Sequence, residues 1–318
     1  MIQWLKFDWN GNADLWGYKE NLAFRVDARN IVKTSHSALE ESLNLIYKIR
    51  DTLPPPYYLM LSGGTDSQAM LYAWHKSGIP YIPVSFRYNK YYNTHDLNNL
   101  YTYSKNLGVE VKFIDIDYFK FLENDLIKYA TDYVCNSPQI TFHMKFVEHI
   151  NDGTCIFSGN AMDVFLAPPE ERLEFFETPL TYTVLGLERF RQRTGRSLVP
   201  YFFQSCPKLA YSFGISFYNS KNIVAKYRLR DNALKFLAYI DSGFKVVSTA
   251  KFSGFEKFKY FFDNKPVSFS FQDKLFFSKF PSPRTFDLLF RYPLYKINKY
   301  SNNAKWLYPD IRHFRSEI

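Results

Sequence analysis

The stretch "YLMLSGGTDSQAMLY", residues 58–72, decides how this chain is read. An apolar run, "YYLML" (57–61), meets two adjacent glycines and then a segment with apolar positions at Met70, Ala73 and Trp74. A short, continuously apolar run is the pattern of a parallel strand buried on both faces. The spacing that follows is helical, with Gly78 placed to end the helix. "SGGTDS" (62–67) is therefore the passage from the carboxyl end of a strand into a helix N-terminus. In parallel α/β sheets ligands lie beyond those strand ends. A helix N-terminus adds unpaired N–H groups and the positive end of a dipole, and phosphate suits both. Gly63 and Gly64 let the backbone turn tightly and approach phosphate oxygens without a Cβ, and Ser62 and Ser67 offer hydroxyls. Asp66 would repel bare phosphate but fits a Mg²⁺ lying between carboxylate and phosphate. The loop is neither GxxxxGK[ST] nor GxGxxG.

Outward from this loop the chain alternates. "HSALEESLNLIYKIRDTL" (36–53) reads as an amphipathic helix on Leu39, Leu43, Ile46 and Ile49, ended by "PPP" (54–56). "YIPVSF" (81–86) reads as a strand, although Pro83 cannot donate to a ladder. "THDLNNLYTYSKNLG" (94–108) is a helix with Thr94 as candidate N-cap and Gly108 as its stop. "VEVKFIDI" (109–116) is a strand, helices are expected at 119–130 and 138–150, and "TCIFSGN" (154–160) is a strand running into a loop. Strand–helix alternation implies an α/β fold, a parallel sheet with helices on both faces. Beyond 170 the segments near 170–193, 207–217, 230–242 and 254–262 read as helical and aromatic-rich. The expected division is an N-terminal extension (1–56), a nucleotide-binding α/β domain (57–170) and a helical C-terminal lobe packed on it (171–318).

Composition narrows the classes. No apolar run approaches the ~20 residues that cross a bilayer. The opening "MIQWLKFDWNGNADLW" has no apolar h-region, so a cytoplasmic protein away from membranes is expected. Cys135, Cys155 and Cys206 are far apart, with no CxxC pair and no zinc-type cluster, which argues against a sulfur relay. The net charge of +9 invites an RNA or anionic-substrate reading. The abundance of Lys, Asn, Tyr and Phe also fits the residue usage of an A/T-rich genome. In the stretch 251–280 Lys alternates with Phe; the rings could stack on bases, but Phe as core and Lys as solvated face is the plainer account. His143 and His149 form no motif.

"SGGTDS" resembles the SGGxDS pyrophosphate loop of the PP-loop (N-type) ATP pyrophosphatases. The resemblance implies a HUP-like, adenine nucleotide hydrolase-like fold, with ATP and Mg²⁺ as cofactors. Further matches resemble the asparagine synthetase-like branch. "SGNAMDVFLA" (158–167) is similar to that branch's second loop, SGxGxDExFxG, with Gly159 and Asp163 in the places of its glycine and aspartate. Ala161 replaces a glycine there, Val164 replaces an acidic residue, and the closing glycine is missing. "VPYFFQSCPKLAYSF" (199–213), "KYRLRDNAL" (226–234) and "KFSGF" (251–255) resemble, in order, the branch's RxPFLDxxLVEFA, KxxLRxA and KxGF segments.

The resemblance implies that a substrate carboxylate or amide oxygen attacks the α-phosphate of ATP. Leu61, Ser62, Gly63, Gly64, Thr65, Asp66, Ser67, Ser158 and Gly159 would hold nucleotide and pyrophosphate, with Asp66 and Asp163 on the metal. The adenine would lie near Ser85 and Phe86, and Lys251 and Arg230 would be catalytic, Lys251 stabilising developing charge. A structural salt bridge is the alternative for Arg230, and an exposed lysine before a turn for Lys251. The family's glutaminase domain is not expected, since residue 2 is Ile rather than Cys, so the nitrogen would come from ammonia, an amine or a separate amidotransferase. Two other readings stand beside this one: a tRNA-modifying, lysidine synthase-like enzyme, and a nucleotide-binding protein whose second loop has decayed.

Overall fold

The computed structural model describes residues 5–8, 23–26, 34–88, 93–133, 138–159, 164–167, 172–175, 186–187, 190–203, 205–206, 208–209, 212–213, 216 and 231–247. Strands β1 (Leu5–Asp8) and β2 (Ala23–Val26) form an antiparallel pair. Helix α1 (Ala38–Thr52) follows, opened by a capping box in which Glu40 N donates to Ser37 Oγ and Ser37 N donates to Glu40 Oε2. Then come β3 (Tyr57–Met60), α2 (Thr65–Ser77), β4 (Ile82–Tyr88), α3 (Thr94–Asn106) and β5 (Lys112–Ile116). Helix α4 (Tyr118–Lys120) passes through a π-helical turn (Phe121–Asp125) into α5 (Leu126–Asp132), and α6 (Pro138–Val147) leads to β6 (Thr154–Phe157).

The central sheet has five strands in the order β5-β4-β3-β6 and then β9 (Leu198–Val199), every neighbour parallel. Side-chain alternation divides it into two faces. Tyr57, Leu59 and Leu61 join the core made by Leu45, Ile46 and Ile49 of α1, Ala69–Trp74 of α2 and Leu100 of α3. The opposite face carries Phe86 and Tyr88, packed edge-on against Phe142 of α6 at 5.0 and 5.5 Å between ring centres. Helices therefore cover both faces, as the alternation of the sequence requires. Pro83 is tolerated because β5 begins to pair with β4 only at Val84, one residue later.

Three sequence expectations change in detail. The N-cap of α3 is Asn93, not Thr94; its side chain accepts from Tyr88 N at 3.0 Å and donates to Phe86 O at 2.9 Å, fastening the helix to the end of β4. The expected 119–130 helix is broken by the π-helical turn. The segment near 170–193 does not begin as helix: β7 (Val164–Ala167) pairs antiparallel with β8 (Arg172–Phe175). Pro168 and Pro169 stand between them in sequence, where a helix would lose donors, and "RLEF" alternates as a strand does. Within 207–217 the described residues, 208–209, 212–213 and 216, are helical, and α7 (Asp231–Asp241) matches the helix expected at 230–242. Residues 254–262 lie outside the described residues. Among the described residues no helix is long and apolar enough to cross a membrane.

His143 of α6 stacks on Phe157 at the end of β6, with ring centres 5.1 Å apart. Burial there lowers its pKa from 6.5 to about 4. The unfolded chain thus binds a proton on this group between pH 6.5 and 4 that the folded chain does not. The contribution of the neutral ring is complete above pH 6.5 and is lost as the pH falls toward 4. Urea midpoints of the protein and of His143→Phe, compared at pH 7 and pH 5, should show a smaller loss in the variant on acidification.

Candidate functional site

The topology fixes where a ligand would lie. From β3 the chain winds outward through β4 to β5, then returns to the other side of β3 as β6. The order reverses between β3 and β6, and at such a reversal the loops beyond the carboxyl ends diverge and leave a crevice. Met60 pairs with Phe157, so "SGGTDS" leaves β3 beside the point where Ser158 and Gly159 leave β6. The two glycine-containing motifs, about a hundred residues apart in sequence, thus stand on adjacent strands at one end of the sheet. The segment after β9 joins them: Phe202 N donates to Phe157 O at 2.9 Å and Phe203 N to Ser158 O at 3.2 Å.

Within the loop the two glycines do different work. Gly63 has φ +87°, and a Cβ on it would lie 2.2 Å from Asp96 O, the backbone of the first turn of α3. Only glycine satisfies both the turn and that approach. Gly64, the N-cap of α2, has φ −72°, and a Cβ there would meet only Ser62 Oγ at 3.5 Å, an ordinary contact. The protein itself therefore does not need glycine at 64; a ligand laid against this backbone would.

The serines also divide. Ser67 is buried, its Oγ donating to Gly64 O at 2.8 Å and accepting from Gly63 N at 3.0 Å, so it fastens the loop from inside. Ser62 is exposed, and its Oγ accepts from Gly64 N at 3.4 Å. The first-turn amides of α2 have no partner within the helix and lie at the carboxyl end of β3.

Leu61 extends the β3–β4 pairing, its N donating to Val84 O at 2.8 Å and its carbonyl accepting from buried Ser85 Oγ at 2.8 Å. Ser85 thus braces the strand below the loop. The Phe86 ring turns to the opposite face, against Phe142 and Phe146, and its carbonyl accepts from Asn93. Ser158 Oγ donates to Gly159 O at 3.2 Å, and Gly159 has φ +69°. Asp163, Arg230 and Lys251 lie outside the described residues.

Two side-chain sets were not foreseen from sequence. Gln68, fully buried, donates through Nε2 to Gly63 O at 3.1 Å and accepts through Oε1 from Val247 N at 2.9 Å. Asp66 receives Tyr239 OH on Oδ1 at 2.6 Å and the Lys235 ammonium on Oδ2. Lys235 and Tyr239 are four apart on α7 and so share one helix face. That i,i+4 pairing was the available signal, but nothing local tied it to Asp66.

Among the described residues no group of three or more His, Cys, Asp or Glu could hold a metal. Magnesium does not require one, since it is commonly held by one or two carboxylates together with substrate phosphates. Asp66 fits that role by type and place, provided Lys235 and Tyr239 yield its oxygens.

A family model described as "Queuosine biosynthesis protein QueC" matches residues 58–153. No curated protein is significantly similar to the chain. Among solved structures, an NMN synthetase from Francisella tularensis is 14% identical, with 79% of this chain and 90% of that chain covered at a TM-score of 0.34. An NH3-dependent NAD synthetase from Campylobacter jejuni subsp. jejuni NCTC 11168, in complex with the nitrate ion, is 11% identical, covering 67% of this chain and 98% of that one at a TM-score of 0.32. Overlays this loose carry no argument about chemistry. The family-model match spans β3, the glycine loop and the strands and helices up to the start of β6.

Proposed function

We propose that the protein is an ATP-dependent adenylating enzyme that releases pyrophosphate and passes its activated substrate to ammonia or an amine. The observation that carries this reading is the convergence of "SGGTDS" and Ser158–Gly159 on adjacent strands at the reversal of strand order. In the proposed reaction a substrate carboxylate or amide oxygen attacks the α-phosphorus of ATP. The bond to the β-phosphate oxygen breaks, and pyrophosphate is received by the amides of α2 and the backbone at Gly64. An amine nitrogen then attacks the activated carbon and AMP departs with the electron pair. Magnesium held by Asp66 and the phosphates would neutralise charge on the leaving pyrophosphate. The protein's own contribution is placement and fixed dipoles, which dominate such transfers. Asp163, Arg230 and Lys251 remain part of the proposal by motif alone. Lys251 follows Val247, whose amide is fixed on Gln68 beside the loop, by four residues.

The amide-forming, asparagine synthetase-like variant rests on the order of the motifs along the chain. A nucleoside or tRNA acceptor is the second reading, favoured by the match to a queuosine-biosynthesis model and by the net charge of +9. In either case the partners are an anionic nucleotide and a nitrogen donor, with a separate amidotransferase as one source of ammonia.

Pyrophosphate release from ATP and Mg²⁺, assayed with pools of carboxylic acids, amines and bulk tRNA, tests the function. Release that depends on one pool supports it and names the acceptor class; ATP binding with no release in any pool refutes it in favour of a binding protein. Asp66→Asn should lower the rate at least about a hundredfold, the scale of removing one preorganised electrostatic contact. The glycines should separate cleanly. Gly64→Ala should cost about 1 kcal/mol of stability or less, as a change of N-cap, yet weaken ATP binding measured by calorimetry. Gly63→Ala should cost at least about 2 kcal/mol in urea denaturation, from its left-handed backbone and the clash with Asp96 O.

A further inference from the structure

We propose that Lys235 is a phosphate-binding cation of this site, held ready by Asp66 and transferred to pyrophosphate when the ligand enters. The inference rests on the ATP pyrophosphatase reading above and assigns that site a residue from outside its motifs.

Three observations lead to it. First, the ion pair is largely withdrawn from water, with Lys235 and Asp66 side chains 13% and 19% exposed. Such a pair gains little net stability, because desolvation offsets much of the attraction. Stability alone is a weak reason for a lysine to reach this place from a helix 169 residues away.

Second, the ammonium stands at the first turn of α2, the positive end of a helix dipole, where a cation is disfavoured and an anion is favoured. Asp66 offsets that conflict while no ligand is bound. When a divalent cation takes the carboxylate, the ammonium still stands beside the first turn of α2, and a pyrophosphate oxygen is a favourable charge-assisted partner for it. The transfer needs only side-chain rotation, a few ångströms of ammonium travel, and no bond changes.

Third, the segment that follows α7, residues 242–247, is tied down independently of the pair. Leu39 N donates to Ser242 O at 3.2 Å, Tyr103 OH donates to Lys245 O, and Gln68 accepts from Val247 N. The C-terminal end of the helix is therefore anchored by contacts that do not involve Lys235.

The test is calorimetry on the full chain with inorganic pyrophosphate, ATP and adenosine, each with and without Mg²⁺. Lys235→Met should weaken pyrophosphate and ATP by about tenfold or more, the scale of one charge-assisted contact, and leave adenosine unchanged. Lys235→Arg should restore most of the affinity. Lys235→Gln, which removes the charge but keeps a polar side chain, should weaken pyrophosphate to the same extent and decides if Lys235→Met does not fold. Pyrophosphate bound by Lys235→Met as tightly as by the unaltered protein, or more tightly, overturns the proposal and leaves Lys235 as a structural tie. An unaltered protein that binds neither ATP nor pyrophosphate overturns the ATP pyrophosphatase reading itself, which separates the two failures.

Discussion

The backbone carbonyl of Asp96 comes so close to Gly63 that no side chain fits between them. This one approach sets the glycine loop against α3, and much else depends on it. It fixes the direction in which β3 gives way to α2, hence the aim of the α2 amides. It presses α3 down so that Leu100 and Tyr103 enter the same core as Leu59 and Leu61. Asn93, bonded to the backbone of Phe86 and Tyr88, holds the other end of the arrangement at the tip of β4. The loop is thus clasped on its outer side by a helix belonging to the next strand–helix unit.

How much of this could be read in advance follows from the range of each interaction. The passage from β3 to α2 was legible because an apolar run, a glycine pair and a helical spacing are consecutive in sequence. The parallel sheet was legible because alternation over residues 57–160 leaves little else to build. The two-faced burial of Phe86 and Leu59 follows from the same pattern. The pairing of β7 with β8 is hidden in sequence because aromatic richness beyond residue 170 suggests helix, while the signal against it is only the Pro168–Pro169 pair.

The candidate site was legible only along its backbone. Ser62–Ser67 and Ser158–Gly159 announce themselves by glycine and by position at strand ends. Lys235, Tyr239 and Gln68 do not, because their partners lie 169, 173 and 179 residues away and no periodicity links such positions. The hydroxyls also could not be sorted: Ser67 looks as available as Ser62 in sequence, and only packing shows it turned inward. Ser85 and Phe86 mark the strand end in the sequence, but the sequence does not show that one side chain braces Leu61 and the other fills the far face.

Gln68 bears on how the chain can be divided. Its amide spans from the carbonyl of Gly63 to the amide of Val247, while Asp66 draws its counter-charge from the helix just before. The strand–loop–helix unit that would be cut out as a self-standing nucleotide module is therefore electrically incomplete. Severed upstream of Lys235, it would keep the glycines and the dipole but carry an unmatched carboxylate at the helix mouth, facing the anion it is shaped to receive. Grafting the motif onto another α/β scaffold, or shuffling it as an independent unit, would carry the shape of the loop without its charge balance.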